Sequence, residues 1–340
     1  MDALMVRRRR VLLLAAAIGL VGWGSLGLYQ GLHNGFTGGL YDPEYVVPGV
    51  MPGGEADKAG FQAGDRVISV EGRPVGELGM ESRWPRSLTP RVGQAHRFVV
   101  ERKGERLNLD IVYGPPSQTA VNSRIGAALV GLGFLCFGLW AFFTVGTSPA
   151  LTLAHIGLAA GVAMSLGLGP SLGVWNGVQG HVSTASTVLM CILMLRFFVI
   201  FPRRKRVSES RLATWAIYAA WGCLLAFLVA ELIVHPVLYY TTGSVVYPLM
   251  LLFGLLILAA IAHTVVKSSR AEVRESGMTW ILGGFLVALV GTASAFAFGV
   301  HLPGWTYALL ILAIPFTMAL AVRRQARLEE TRAETSGAAA

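Results

Sequence analysis

The stretch that decides the fold of one part of this chain is VMPGGEADKAGFQAGDRVISVEGRPV, residues 50–75. It overlaps an apolar run, 45–51, that predicts a strand, and the Pro-Gly-Gly after that run predicts the turn that ends it. Residues 55–59 predict one helical turn, and Gly60 is well placed as its left-handed cap. Residues 65–71 then alternate between apolar and polar, which is typical of a half-buried strand. The stretch therefore predicts a strand, a helical turn and a second strand in close succession.

The segment around this stretch has the composition of a small soluble domain. Residues 42–110 hold 21 of the 47 charged side chains of the chain. Two further predicted strands, 98–102 and 107–113, flank the hairpin turn Lys103-Gly104-Glu105. We name residues 35–114 the insert, and its pattern predicts a small β-rich domain with one or two helices.

The stretch 50–75 resembles the central signature of bacterial PDZ domains. That signature has a strand, Pro-Gly, a turn of small residues ending in Ala-Gly, then Gly-Asp, a strand and Gly-x-Pro-Val. Such domains also occur in periplasmic chaperone-proteases and in site-two-type membrane proteases. The resemblance implies that the insert binds extended peptides or the C-terminal tails of proteins by β-augmentation.

The resemblance also implies where a peptide would bind. The Gly-rich loop before the first strand would hold a terminal carboxylate in a nest of backbone N–H groups, and a following helix, 78–88, would form the other wall of the groove. The expected peptide-binding residues are Gly35, Phe36, Thr37, Gly38, Gly39, Leu40, Met80, Trp84 and Leu88. The alternative is that these residues only fill the core of the insert and its linker to the first membrane helix.

Outside the insert the composition is that of a membrane protein. The chain of 340 residues is 54% apolar and only 14% charged, against about 25% charged in a soluble domain. Because a membrane helix needs about 20 mainly apolar residues, eight spans are predicted: 11–30, 125–147, 151–171, 184–202, 212–234, 244–266, 278–300 and 305–322. The predicted fold class is an α-helical polytopic membrane protein of about eight transmembrane helices with a small β-rich PDZ-like extracytoplasmic domain.

The net charge of +9 does not indicate a nucleic-acid partner, because the basic residues are clustered beside apolar runs. Sixteen Lys and Arg side chains lie within 7–10, 203–211, 267–274 and 323–332, and the loops 172–183, 235–243 and 301–304 contain none. The positive-inside rule then places both termini in the cytoplasm and the insert outside, in a bacterial inner membrane.

The expected domain order follows from these spans. It comprises a basic cytoplasmic N-terminus 1–10, a first helix 11–30, the PDZ-like domain 35–114, a seven-helix membrane bundle 122–322 and a cytoplasmic tail 323–340. The first run could instead be a cleaved signal peptide, but it ends without a clear small-x-small cleavage site.

Sequence motifs for catalysis are weak. None of the seven histidines begins His-Glu-x-x-His, the motif in which two imidazoles bind zinc and a Glu activates water. Residues 169–173 fit Gly-x-Ser-x-Gly, but Ser171 lies at the outer end of a predicted membrane span, not on the strand-to-helix turn of a hydrolase. The sequence therefore predicts no enzyme activity, no metal site and no cofactor. An intramembrane hydrolase of rhomboid type and a transporter remain the alternatives.

A second resemblance concerns the end of the fourth predicted span, Phe197-Phe198-Val199-Ile200-Phe201-Pro202. With a PDZ-like insert and eight spans, it is similar to the sensory half of bacterial histidine kinases that govern competence and related peptide-triggered responses. No kinase domain is expected after residue 322. The resemblance implies a membrane sensor or scaffold that binds tails outside and signals to a separate cytoplasmic partner, with the lipid bilayer around it.

Overall fold

The computed structural model describes residues 3–33, 39–40, 45–47, 49–50, 52–75, 91–167, 175–203, 205, 239–297 and 303–337, with seven isolated positions between 215 and 229. These residues are mostly helical. The helices are α1 (Ala3–His33), α2 (Glu55–Lys58), α3 (Gln118–Val145), α4 (Ser148–Gly167), α5 (Trp175–Ile200), α6 (Tyr239–Lys267), α7 (Arg270–Glu275), α8 (Met278–Ala297) and α9 (Gly304–Gly337). The strands are β1 (Gly39–Leu40), β2 (Gly49–Val50), β3 (Arg66–Val70), β4 (Arg73–Pro74), β5 (Ala95–Arg102) and β6 (Glu105–Val112).

Six of the described helices are long and apolar enough to cross a membrane, and eight spans are not confirmed. The six segments are Arg7–His33, Gln118–Val145, Ser148–Ser165, Gln179–Ile200, Pro248–Lys267 and Trp305–Thr335. The apolar part of α8, Met278–Ala293, is shorter. The predicted span 212–234 lies outside the described residues except at isolated positions. These helices are compatible with a membrane protein.

The helix ends and the packing of the bundle follow from local sequence. The Ser117 hydroxyl accepts a hydrogen bond from the Ala120 N–H at 3.2 Å and caps the start of α3, as Ser does at helix N-termini. Gly157 permits a close crossing of α3 and α4, because a Cβ there would lie 2.5 Å from the Phe134 carbonyl oxygen. This agrees with the small residues that a membrane-helix interface needs.

The aromatic end of α5 belongs to the core of the bundle. Phe197, Phe198 and Phe201 are fully buried. The Phe197 ring stacks on that of Phe201 with centroids 5.0 Å apart, and the Phe198 ring meets Phe197 edge to face at 5.3 Å. The motif that carries the second resemblance therefore packs helices together in this chain.

Members of the four basic clusters meet at one end of the bundle. The Arg10 guanidinium lies 3.9 Å from the position that a Cβ would take at Gly146, the residue after α3. At the same end, Arg203 after α5 pairs with Glu272 of α7 at 2.8 Å, and Arg332 of α9 pairs with Glu275 of α7 at 3.2 Å. The helix α9 continues through residues 323–337, where the sequence predicts a cytoplasmic tail.

The insert is a small antiparallel β structure with its own core. Its main sheet has the order β4-β3-β5-β6, and β1 pairs with β2 in a separate ribbon. The predicted hairpin is present, but its turn has two residues, Lys103 and Gly104, instead of the predicted three, because Glu105 pairs with Arg102 as the first residue of β6. Both turn residues have positive φ, 51° and 86°, as a two-residue hairpin turn requires. The buried apolar residues of the insert include Val47, Ala56, Phe61, Val67, Val70, Val75, Phe98, Val100 and Ile111.

Candidate peptide-binding site

The β1–β2 ribbon lies where the sequence predicts the binding edge. Gly39 pairs with Val50 and Leu40 with Gly49 in antiparallel register. Among the described strands, β1 hydrogen-bonds only to β2. This ribbon brings two of the nine predicted site residues into a strand. The other seven, Gly35, Phe36, Thr37, Gly38, Met80, Trp84 and Leu88, lie outside the described residues.

The turn between β2 and α2 is fixed by hydrogen bonds to its own backbone. The Gly53 N–H donates to the Asp57 carboxylate at 2.8 Å, and Gly53 has φ 73°, a conformation that favours glycine. The Gly60 N–H donates to the Asp57 carbonyl at 2.9 Å, with φ 88° at Gly60. These bonds explain the Pro-Gly and Ala-Gly positions of the signature and fix the end of the ribbon.

A buried ion pair holds the loop after α2 against the main sheet. Asp65 accepts from Arg102 Nε and Nη2, each at 2.7 Å, and from the Gln62 N–H at 2.9 Å. Arg102 Nη2 also donates to the Gly60 carbonyl at 2.7 Å. The Asp65 side chain is 1% exposed and that of Arg102 is 24% exposed. The bonds from Arg102 hold the pKa of the Asp65 carboxyl below its usual value of 3.8, although burial acts in the opposite direction.

Sequence reasoning missed Arg102. The signature includes Asp65, but its partner lies 37 residues later, at the end of β5. The signal that could have found it is the cost of burying a carboxylate without a cation, because this requires one of the basic residues of the insert to face Asp65.

The insert joins the bundle through a short segment that touches α2. Residues 113–117 run from the end of β6 to the first cap of α3, and two of them are prolines. A Cβ at Gly114 would lie 2.7 Å from the Glu55 carboxylate oxygen, so the first residue of α2 lies against this segment. Tyr113 is buried beside His96, and its hydroxyl lies 3.2 Å from His96 Nδ1. Residues 113–117 therefore connect the main sheet to α3 and also lie against α2, the helix that follows the β1–β2 ribbon.

Comparisons with known proteins agree with the resemblance for the insert. A family model described as PDZ domain matches residues 46–83. A protein of Arabidopsis thaliana named as protease Do-like 14 is 40% identical over 68 residues, which are 20% of this chain and 14% of that protein. Proteins of Brucella suis and Brucella melitensis named as zinc metalloproteases are each 37% identical over 73 residues, 22% of this chain and 18% of theirs. The insert thus contains a PDZ domain, and the chain spans less than a fifth of the length of these relatives.

The prediction that this chain is not an enzyme is contradicted by these relatives. All three carry protease names, and the shared segment is the PDZ region. They point towards an enzyme family. The prediction rested on the missing His-Glu-x-x-His motif and the weak Gly-x-Ser-x-Gly match, although similar PDZ domains occur in proteases.

Two of the names imply zinc, which the described residues do not fit. No group of three or more His, Cys, Asp or Glu side chains within them could hold a metal ion. The segment 169–173 with its Gly-x-Ser-x-Gly pattern lies outside them. We therefore derive no step through a metal, and the absence of a metal site stays a prediction.

Proposed function

We propose that this protein is a membrane sensor or scaffold that binds the C-terminal tails of proteins or peptides with its PDZ domain. The tail would add a strand to the side of β1 opposite β2, and the bundle would pass the event to a separate cytoplasmic partner. The single observation that carries the proposal is a PDZ domain attached directly to a bundle of long apolar helices. The expected place is the bacterial inner membrane, with the PDZ domain outside and both termini in the cytoplasm.

Main-chain pairing at β1 supports the binding part of the proposal. β1 is a short strand that pairs on one side with β2 among the described residues, and PDZ domains generally bind peptides by strand addition at such an edge. Affinity should be modest, because a few main-chain bonds must offset the ordering of a flexible tail. Micromolar binding corresponds to roughly −8 kcal/mol.

The link between insert and bundle supports the signalling part. Glu55 begins α2 and lies against Gly114, three residues before the cap of α3. A tail that moves the β2–α2 turn would act on this segment without crossing a long linker. We expect the two prolines in it to limit its freedom, because proline fixes φ.

A second candidate is a role in proteolysis, favoured by the protease names of the three relatives. In that case the PDZ domain would present substrate tails to a protease activity. The test is incubation of the purified full-length chain in nanodiscs with the peptides that it binds, followed by mass spectrometry. Cleavage products that disappear with a chelator would favour this candidate over a sensor.

The test of tail binding is titration of the full-length chain with peptides that have free or amidated C-termini. Gly39→Val should weaken binding at least about tenfold, because a branched side chain would crowd the backbone N–H groups that hold the carboxylate. Gly49→Val is the matched control on the paired strand, since a Cβ at Gly49 meets nothing within 4 Å. Equal binding of amidated peptides, with Gly39→Val without effect, would show that the carboxylate site is assigned wrongly.

A further inference from the structure

A cleft of about 620 Å³ opens at the end of the bundle where the basic clusters meet. Its walls come from the α3–α4 turn, the end of α5, the short helix α7 and the extension of α9. Its volume lies within the range of ligand and peptide pockets, about 300–1,000 Å³. Its charged lining residues are Arg203, Glu272, Glu275, Glu329 and Arg332.

One carboxylate of the cleft, Glu272, is less exposed than the other charged side chains that line it. The Glu272 side chain is 22% exposed, whereas the side chain of its partner Arg203 is 76% exposed. Arg332, which pairs with Glu275, is 70% exposed. Glu272 is therefore the one partly buried carboxylate of the lining, whereas Glu275 and Glu329 are exposed, like the two guanidinium groups.

The third carboxylate makes the cleft acidic. Glu329 accepts a hydrogen bond from the neutral Gln325 amide at 3.1 Å. The same Gln325 nitrogen donates to the Pro202 carbonyl at 2.6 Å, which fixes α9 against the end of α5. Three carboxylates and two guanidinium groups leave the lining with a net negative charge in the middle of a basic face.

The ion pairs across the cleft can be replaced at small cost. Each joins two different elements, Arg203 to α7 and α9 to α7. The Arg332–Glu275 pair is exposed on both sides and contributes about 0 to 1 kcal/mol. In the Arg203–Glu272 pair the guanidinium is exposed, so another cation can replace it and keep Glu272 paired. An incoming cation can therefore take the place of Arg203 or Arg332 without opening the packed core beneath.

We propose that this cleft is the docking site for a basic segment of the cytoplasmic partner, whose Lys or Arg side chains pair with Glu272 and Glu329. The inference rests on the proposed function, since it names where the signal leaves the bundle. Apolar contacts to Ile200, Pro202 and Leu328, which also line the cleft, would hold the stem of the cationic side chain.

The experiment uses the full-length chain in nanodiscs of neutral phosphatidylcholine and a labelled ten-residue probe of alanine, leucine and two arginines. The probe is acetylated and amidated, so that it has no terminal carboxylate for the PDZ domain. A second probe carries glutamates in place of the arginines. Anisotropy titration should give at least about tenfold tighter binding of the arginine probe, and the difference should shrink with salt.

Two kinds of variant should change the affinity for the arginine probe in opposite directions. The double variant Glu272→Gln and Glu329→Gln should bind the arginine probe about tenfold more weakly, or by about 1.4 kcal/mol. The matched control is Glu330→Gln, because Glu330 is an exposed carboxylate outside the cleft. It should change the affinity for the arginine probe less than about twofold. Arg203→Gln removes the competing cation and should tighten binding about threefold. If the ion pairs only held the helices together, Arg203→Gln would weaken binding as the Glu variants do.

Several results would overturn the proposal. They are equal binding of the two probes, no binding of the arginine probe, an unchanged affinity in the double Glu variant, and weaker binding in Arg203→Gln. Binding of free C-terminal peptides by the PDZ domain is measured on the same discs. If the arginine probe does not bind but free C-terminal peptides do, this inference fails and tail binding stands. If the probe binds but the peptides do not, the tail-binding part of the proposed function fails.

Discussion

The insert and the membrane bundle are held together in different ways. In the insert, a buried carboxylate with its guanidinium partner fixes a loop to the sheet, and the apolar core is small. In the bundle, a continuous apolar core holds the helices together, with glycines at close crossings and ion pairs at one end. A small domain has little area to bury, so polar bonds carry more of its structure. Four expectations follow from this contrast.

The largest expected effect is an all-or-none difference in accessibility between the two regions. With Cys136, Cys191 and Cys223 replaced by Ala, single cysteines at Gly76 in the insert and at Gly337 in α9 report on opposite sides of the membrane. An impermeant thiol reagent should label position 76 in intact spheroplasts and position 337 only after permeabilisation. Labelling of 337 and not of 76 in intact spheroplasts would reverse the proposed topology.

The next largest effect should come from Asp65→Asn. Removal of the charge leaves the Arg102 guanidinium without its carboxylate, and the break of a buried pair costs about 3–5 kcal/mol. Amides of β3 and β5 should then exchange hydrogen about a hundredfold faster or more, whereas those of α3 and α4 should not change.

The control for this variant is Arg97→Leu on β5, the strand that also carries Arg102. The pair of Arg97 with Asp110 has the same chemistry at 3.0 Å, but its side chains are 66% and 58% exposed. Arg97→Leu should therefore lower the free energy of unfolding by less than about 1 kcal/mol. Equal effects of the two substitutions would mean that burial does not distinguish the pairs.

Local turn chemistry explains why much of the insert is predictable. Gly60 has a positive φ, and so do Lys103 and Gly104 of the hairpin turn. Each of these turns is indicated by the few residues that form it. The Asp65–Arg102 pair has no such signal, because its members are distant in sequence. The family model matches residues 46–83, which include the local signature at 50–75 but not Arg102.

Hydropathy explains the predictable part of the bundle, and its limits. A run of apolar residues indicates a span, but it does not show which helices touch, because all faces are apolar. The continuation of α9 through residues 323–337 is missed because its charged residues end the hydropathy signal. The cleft combines residues from four elements, so no single stretch of sequence indicates it.

A smaller effect is expected in the bundle from Gly157→Ala. The new methyl group would lie 2.5 Å from the Phe134 carbonyl oxygen, and overpacking of this kind costs about 1–3 kcal/mol. Gly254→Ala in α6 is the control, since a Cβ there meets nothing within 4 Å. Thermal unfolding in detergent should show a lower midpoint for Gly157→Ala only, with the exchange rates of the insert unchanged. A stable Gly157→Ala protein would contradict the close crossing of α3 and α4.

The smallest effect should be a selective loss of stability of the insert in acid. Because the Arg102 bonds lower the pKa of Asp65 in the folded chain below 3.8, the unfolded chain binds the proton more readily than the folded one. The stabilisation is therefore complete well above pH 3.8 and is lost as the pH falls through the lowered pKa. Exchange of the β3 and β5 amides, corrected for the intrinsic pH dependence, should accelerate as the pH falls from about 3.8 towards the lowered pKa in the natural protein. The Asp65→Asn variant lacks the titrating group, so its corrected exchange should depend less on pH in this range. The same pH dependence in both proteins would assign the acid sensitivity to other carboxylates of the insert.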